Sequence, residues 1–191
     1  MIKKLIFTLL VIGLAAQLLV PAKLIFDSEK TNSAGTIFKF KVGPVDPYDP
    51  FRGKYITLTF MDNSVIRDTL EKFTYSESAF VLVEADSTGM AQVKSISHST
   101  FPEPYYFEAT VSSASVAYSD NFQTIRVEFP FNKFFLEETI APGAETVYRE
   151  TRNDTVPAYA LVSILEGKAV LRDVIIRDSS IADVVRARAR N

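Results

Sequence analysis

Hydrophobic and polar residues alternate along most of the chain after residue 35, and a two-residue period is typical of half-buried β-strands. In segment 36–42, TIFKFKV, lysines separate apolar positions, and in segment 54–60 Ile56, Leu58 and Phe60 share one side of the expected strand. Alternation or a continuous apolar run predicts further strands at 79–85, 90–97, 105–118, 123–129, 158–165 and 169–176. The last two surround a short turn, EGK, so we expect them to form a hairpin.

Four other segments follow a different pattern. Segments 132–138 and 142–152 are expected to form two short helices, with Pro142 in the first turn of the second. Segment 65–75 favours a short helix or an irregular arm, and the arginine-rich end, 179–191, is interpreted as a mobile terminus. Strands do not alternate with long helices. The sequence therefore predicts a mostly β fold, an antiparallel sheet that is sandwich-like or barrel-like, with two short helices.

The N-terminal segment has neither period. An uncharged apolar run of 18 residues, 5–22, follows Lys3 and Lys4. This length lies at the lower edge of what a helix needs to span a hydrocarbon core of about 30 Å. Because positive charge precedes the run, we expect a single transmembrane helix with its N-terminus in the cytoplasm and the rest of the chain outside. A cleaved signal peptide is the alternative, since residues 20–22, VPA, are suited to cleavage, but the length of the run favours a retained anchor.

These patterns divide the chain into three parts. We expect a transmembrane anchor at 1–22, a polar linker or helix extension at 23–35, and an exported β-rich domain at 36–191. Residues 24–26 are apolar again, so the helix can continue past Pro21 and lengthen the span. No internal repeat and no domain boundary interrupts the third part, which has the length of one domain.

Composition excludes several classes of function. The net charge is −2 and the basic residues form no stripe, so no nucleic-acid partner is predicted. The absence of cysteine excludes disulfides, thiol catalysis and thiolate metal sites. His98 is the only histidine, so a Ser-His-Asp triad would have to use it, and we interpret it instead as an exposed loop residue. No cofactor and no metal site are predicted.

The most distinctive stretch is 46–54, DPYDPFRGK, which leads into the strand at 54–60. Each of its two aspartates precedes a proline, which keeps the backbone out of the helical region and stiffens the turn. A structural interpretation pairs the guanidinium of Arg52 with one of these carboxylates. In a functional interpretation the loop presents polar groups to a partner, and a calcium site is a third option. The candidate binding residues are Asp46, Asp49, Arg52, Gly53, Lys54 and Tyr55.

Carboxylates also allow an enzymatic hypothesis. A glycoside hydrolase needs two carboxyl groups about 5–10 Å apart across a cleft, and Asp46, Asp49 and Glu138 are the residues that could supply them. Neighbouring residues such as Glu137 and Glu138 point in different directions on a helix, so we interpret these two as one buried partner and one solvated residue. The chain has no nucleophile elbow, phosphate loop or dinucleotide fingerprint, and we favour a non-enzymatic role.

At the stretch that begins at residue 53 the sequence resembles the GDYXXLXY protein family. The namesake motif corresponds to segment 53–60, GKYITLTF, in which Lys54 replaces the aspartate and Phe60 replaces the second tyrosine. The positions that match are Gly53, Tyr55 and Leu58. The replacement at Lys54 argues against an essential acid there, and the replacement at Phe60 favours a packing role. The similarity extends to segment 45–52, the anchor with Pro21, segment 131–138 and the hairpin around Gly167.

The resemblance implies a membrane-anchored protein of the bacterial envelope, of a kind that tends to be encoded beside multi-pass membrane proteins. We therefore expect a non-catalytic accessory or binding protein, held by one helix in the bacterial inner (cytoplasmic) membrane with its C-terminal domain in the periplasm. An integral membrane protein is the expected partner. The alternatives are an envelope hydrolase that uses Asp46, Asp49 or Glu138, and a module that self-associates through an exposed strand edge.

Overall fold

A computed structural model of the chain describes residues 2–43, 55–68, 71–116, 122–150 and 157–190. Within them the chain forms three helices and twelve strands. The helices are α1 (Ile2–Ala34), α2 (Ala141–Glu150) and α3 (Ile181–Ala189). The strands are β1 (Thr36–Gly43), β2 (Tyr55–Thr57), β3 (Thr59–Phe60), β4 (Ser64–Asp68), β5 (Ser78–Ala85), β6 (Ala91–Ser97), β7 (Tyr106–Val116), β8 (Phe122–Glu128), β9 (Lys133–Phe135), β10 (Ala158–Leu165), β11 (Lys168–Ile176) and β12 (Ser179–Ser180).

The strands form antiparallel sheets, which confirms the predicted fold class. One sheet has the order β12-β11-β10-β1-β3, and a second has the order β4-β8-β7-β5-β6. The outer strands of the second sheet, β4 and β6, lie close to each other, so this sheet is nearly closed and barrel-like. A two-stranded ribbon of β2 and β9 completes the architecture. Single bridges between Phe107 and Gly167 and between Lys39 and Met90 join the two large sheets.

Phenylalanine rings fill the space between the two large sheets. Five of these rings form one cluster. All five are buried, and neighbouring ring centroids lie between 5.1 and 6.3 Å apart, mostly edge to face or tilted. The five rings are those of Phe40, Phe60, Phe107, Phe129 and Phe131. Strand β8 shows how the sequence specifies this core, because every second side chain from Gln123 to Val127 is buried.

Most predicted strands are confirmed, including the hairpin of β10 and β11. Its two-residue turn places Glu166 and Gly167 at φ of 44° and 90°, the left-handed conformation that a tight hairpin turn requires. Segment 142–152 is confirmed as α2, with Pro142 in the first turn. The predicted strand at 54–60 is divided at Leu58, because β2 pairs with β9 whereas β3 pairs with β1.

Three predictions are wrong. Segment 132–138 is not a helix, because Lys133–Phe135 pairs with β2 as strand β9. The predicted helix or arm at 65–75 begins as a strand, β4, whose residues pair with β8. The C-terminal segment is not a mobile terminus, because it forms α3, which buries Ile181 and packs on α2.

Helix α1 continues without a break through Pro21 to Ala34. Among the described residues it is the helix that is long and apolar enough to cross a membrane. Residues 23–34 are helical and Gly35 leads directly into β1. The end of α1 therefore lies against the β-rich part of the chain.

Candidate functional site

Most of the predicted binding loop lies outside the described residues. Asp46, Asp49, Arg52, Gly53 and Lys54 all fall within 44–54, so the expected pairing of Arg52 stays a prediction. Tyr55, the last candidate, is described as the first residue of β2. The structure therefore shows the framework from which this loop begins and to which it returns.

Gly43, the last described residue before the loop, is joined to a buried framework. Gly43, the last residue of β1, pairs with Thr59 of β3, and the hydroxyl of Tyr148 donates a hydrogen bond of 2.8 Å to the Gly43 carbonyl. Tyr148 is fully buried, and burial raises the pKa of its hydroxyl to about 12, so that it stays a donor at every physiological pH. The end of β1 is thus bonded directly to α2.

Tyr55 contributes to a small surface patch, which we call the aromatic patch (Tyr55, Lys133 and Phe135). The rings of Tyr55 and Phe135, opposite each other on β2 and β9, lie 5.4 Å apart, and Lys133 Nζ lies 5.2 Å from the Tyr55 ring. Phe135 is exposed. An exposed phenylalanine packed on a half-buried tyrosine beside a cation offers a contact surface for another apolar or aromatic group.

The other half of the family motif is structural. Leu58 and Phe60 are buried, and the Leu58 amide donates a hydrogen bond of 2.7 Å to the Asn132 carbonyl. Phe60 packs against Phe40, Phe129 and Phe131. The packing role that the sequence suggested for position 60 is confirmed, whereas Tyr55 is half-buried.

The carboxylates of the hydrolase hypothesis are not gathered in the described part of the chain. Glu138 is exposed in the turn before α2, and its neighbour Glu137 is exposed with an oxygen 3.7 Å from Arg186. Asp46 and Asp49 lie outside the described residues. Among those that are described, no group of three His, Asp or Glu residues could hold a metal ion.

His98 belongs to a cluster that sequence reasoning did not find, the His98 cluster (Arg67, Glu71, Phe73, Glu77 and His98). The imidazole lies in the bend after β6, with Nδ1 2.8 Å from Glu71 and Nε2 3.5 Å from Glu77. Its ring stacks on Phe73 at 4.4 Å. Arg67 pairs with Glu71 at 2.9 Å. Both ring nitrogens face carboxylates, which is not the arrangement of a Ser-His-Asp triad.

The Glu71 carboxylate receives the strongest support in this cluster. The backbone amide of His98 donates to it at 2.9 Å, and this hydrogen bond, with smaller contributions from the imidazole and Arg67, lowers the pKa of Glu71 despite partial burial. Gln123, buried on β8, bonds both backbone groups of Phe73, accepting from the amide at 3.3 Å and donating to the carbonyl at 2.9 Å. These side chains hold segment 71–77 to the barrel-like sheet together with backbone hydrogen bonds of 2.8 and 2.9 Å between Ser76, Glu77 and Val111 of β7.

The end of α1 is attached to the β10–β11 hairpin at what we call the helix joint (Thr31, Gly35 and Ser163). The Thr31 carbonyl accepts hydrogen bonds from the Gly35 amide at 3.0 Å and from the buried Ser163 hydroxyl at 2.6 Å. A Cβ at Gly35 would lie 2.4 Å from the Thr31 carbonyl oxygen, so only glycine allows this approach. An ion pair between Asp27 and Lys168 adds a second contact one turn earlier.

Two depressions flank α1 where it crosses β11. The inner cleft, of about 630 Å³, lies between α1, β7 and the end of β8, and its lining includes Leu24, Asp27, Glu108 and Glu128. The outer groove, of about 580 Å³, lies on the other side of α1. Its lining includes Ile25, Ser28, Glu29, Asn32, Leu171 and Arg172. Both depressions begin at the last apolar residues of the helix.

A family model described as GDYXXLXY protein matches residues 17–174, from the middle of α1 into β11. The range includes the helix joint, the aromatic patch and the His98 cluster, whereas α3 lies beyond it. No curated protein and no solved structure matches the chain.

Proposed function

The chain belongs to the GDYXXLXY protein family, and we propose that it is a membrane-anchored, non-catalytic accessory protein of the bacterial envelope that binds an integral membrane protein. In this proposal α1 crosses the inner membrane with its N-terminus in the cytoplasm, because Lys3 and Lys4 precede the apolar run. The β-rich domain then lies on the periplasmic side. The aromatic patch and segment 44–54, which belong to this domain, then lie on the same side of the membrane.

The helix joint is the observation that supports this proposal. A domain tethered by a flexible linker can take any orientation, whereas here Thr31 in the last turn of α1 is bonded to Ser163, and Asp27, one turn earlier, is ion-paired with Lys168. The helix and the domain therefore present one fixed surface to any neighbour in the bilayer. A fixed orientation is what a protein needs if it contacts a membrane partner through helix and domain together.

The apolar surface of α1 supports the same conclusion. Eleven large apolar side chains between residues 6 and 26 are each more than half exposed. An apolar surface of this extent requires lipid, a partner helix, or both. Because helices in membranes associate by close packing along one face, a protein partner would cover only part of this surface.

Photo-cross-linking of the full-length chain in cells of its native host tests the proposal. A photo-reactive residue is placed in turn at positions along α1, and Thr88, in the turn between β5 and β6, serves as the control. The positions are Leu10, Ile12, Leu14, Leu18, Leu19 and Val20. We expect adducts to one multi-pass membrane protein that recur every three to four residues, since one helix face is buried. Adducts to lipid alone, or to a second copy of the chain, would contradict the proposal.

A further inference from the structure

The outer groove has a charge arrangement that differs from that of the inner cleft. Arg172 is the extra residue of a β-bulge, since Leu161 pairs with Asp173 and Val162 pairs with Leu171. A bulge changes the direction in which a side chain points. Arg172 lines the outer groove from β11, and Glu29 lines it from α1. Neither side chain forms an ion pair with another described residue. In contrast, Asp27 and Lys168, which line the inner cleft on the other side of α1, form an ion pair with each other.

The groove also has a defined depth relative to a bilayer. If residues 5–26, which are apolar or uncharged except for Lys23, form the span, it is about 33 Å long, which matches a hydrocarbon core of about 30 Å. Ser28 then lies about 3 Å and Asn32 about 9 Å beyond the last apolar residue, Phe26. The headgroup layer on each side of the core is roughly 5–8 Å thick. The groove therefore opens at the level of the lipid headgroups.

We propose that the outer groove binds one phospholipid whose headgroup carries both a phosphate and a primary ammonium, as phosphatidylethanolamine does. This inference rests on the proposed function, because it requires α1 to span the bilayer. The planar guanidinium of Arg172 matches the phosphate oxygens, and the Glu29 carboxylate accepts hydrogen bonds from the ammonium. Ile25 and Leu171 lie beside the start of the acyl chains, where the groove joins the apolar span.

The two charges make the proposal specific. A headgroup with phosphate alone, such as phosphatidylglycerol, would pair with Arg172 but would offer no cation to the Glu29 carboxylate. A quaternary ammonium, as in phosphatidylcholine, carries the positive charge but has no N–H to donate to Glu29. Discrimination among these three lipids therefore reports on both side chains at once.

Native mass spectrometry of the full-length chain, released from nanodiscs that contain equal amounts of the three lipids, tests this inference. We expect one retained phosphatidylethanolamine per chain. Arg172→Gln should reduce its retention at least about tenfold, the factor that corresponds to one lost charge-assisted hydrogen bond. Glu29→Gln should abolish the preference over phosphatidylglycerol. Arg149→Gln on α2, whose side chain pairs with Glu145, is the matched control and should retain lipid as the wild type does.

Two readouts separate this inference from the proposed function. Resistance to alkaline carbonate extraction reports whether α1 spans the membrane, and circular dichroism confirms that each variant is folded. A spanning, folded chain that retains no lipid, retains the three lipids equally, or is unaffected by Arg172→Gln would overturn the headgroup site and leave the anchored accessory role standing. A chain extracted by carbonate would overturn both.

Discussion

Phe60 and Phe135 have opposite environments although both belong to aromatic-rich strands near the family motif. Phe60 is 8% exposed and contacts three other rings, whereas Phe135 is 67% exposed and contacts Tyr55. The alternation of segment 54–60 predicts this difference within the motif, because Phe60 and Tyr55 have opposite parity. At the scale of single residues, parity thus separates the structural half of the motif from the surface half.

The same substitution at the two positions measures this difference. Phe60→Leu should lower the free energy of unfolding by about 1–3 kcal/mol, because the smaller side chain loses ring contacts and leaves a gap in the aromatic core. Phe135→Leu should change it by no more than about 0.5 kcal/mol, as is usual at exposed positions. Urea denaturation of both variants in detergent, followed by circular dichroism, gives the two values. Equal losses would show that the aromatic patch is as structural as the core.

Polar residues with distant partners are the ones that the sequence did not reveal. The buried Ser163 and Gln123 bond to groups 132 and 50 positions away, and the half-buried Glu71 bonds to His98, 27 positions away. No local pattern marks such residues, because the chain brings the partners together only after the strands are in register. Within the predicted site, parity places Tyr55 on the side of the strand opposite to the core. Its neighbours Lys133 and Phe135 could not be found, because the segment that contains them was predicted as a helix and not as the partner strand of β2.

At the scale of elements, strands were predicted well where apolar and polar residues alternate over the length of both paired strands, and poorly where a strand is short. Lys133–Phe135 has only three residues in its strand, so pairing with β2 determines its conformation more than its own pattern does. Helix α3 had a detectable signal, since Ile181, Val184 and Val185 recur at helical spacing, but the arginines that follow suggested a solvated tail. In the structure Arg188 forms two hydrogen bonds of 2.7 and 2.6 Å to Glu150 on α2.

Segment 71–77 is attached to the end of β6 by the Glu71 carboxylate, which makes its attachment sensitive to pH. The pKa of Glu71 is lowered in the folded chain, chiefly by the His98 amide. The carboxylate therefore contributes stability above the pKa of an unfolded glutamate, about 4.3, and this contribution is lost as the pH falls through the lower folded value. Glu71→Gln should destabilise the chain by about 1–2 kcal/mol at pH 7.

Denaturation at pH 7, 5 and 3 checks this expectation. The difference between wild type and Glu71→Gln should persist at pH 7 and 5 and decrease at pH 3, as the wild-type carboxyl is protonated. Glu108→Gln, an exposed residue of β7, is the control and should change the free energy of unfolding by less than about 0.5 kcal/mol at pH 7. A difference of the same size at pH 3 and pH 7 would mean that the carboxylate charge is not what holds the segment.

At the scale of the whole molecule, the helix joint bonds the end of α1 to the β-rich part. Polar residues 27–34 suit an exposed helix and a linker equally well, which is why the sequence left both alternatives open. The joint depends on the Thr31 carbonyl, which accepts the hydrogen bonds, and on Gly35, whose lack of a side chain permits the close approach. A hydrophobic pattern reveals neither feature.

Gly35→Ala should loosen the joint without unfolding the domain. The added methyl group cannot approach the Thr31 carbonyl to 2.4 Å, so α1 has to move away from Ser163. Because the chain contains no cysteine, spin labels on Leu18→Cys and Thr88→Cys report one distance between helix and domain. We expect a narrow distance distribution in the parent and a broad one in Gly35→Ala. Gly13→Ala, where an added Cβ meets no atom within 4 Å, should stay narrow. A narrow, unshifted distribution in Gly35→Ala would contradict the joint.

In the proposed membrane-spanning orientation, the unbroken helix between Phe26 and Gly35 links the height of the domain above the bilayer to the direction in which the domain faces. Each residue gained or lost there would shift the domain by about 1.5 Å along the bilayer normal and turn it by about 100°. Inserting one residue would therefore turn the aromatic patch to face a different direction in the membrane plane. Only insertions close to a whole number of helical turns would keep the patch facing the same way. A membrane neighbour that contacts the domain at one height and from one direction would therefore restrict the length of this segment as well as its composition.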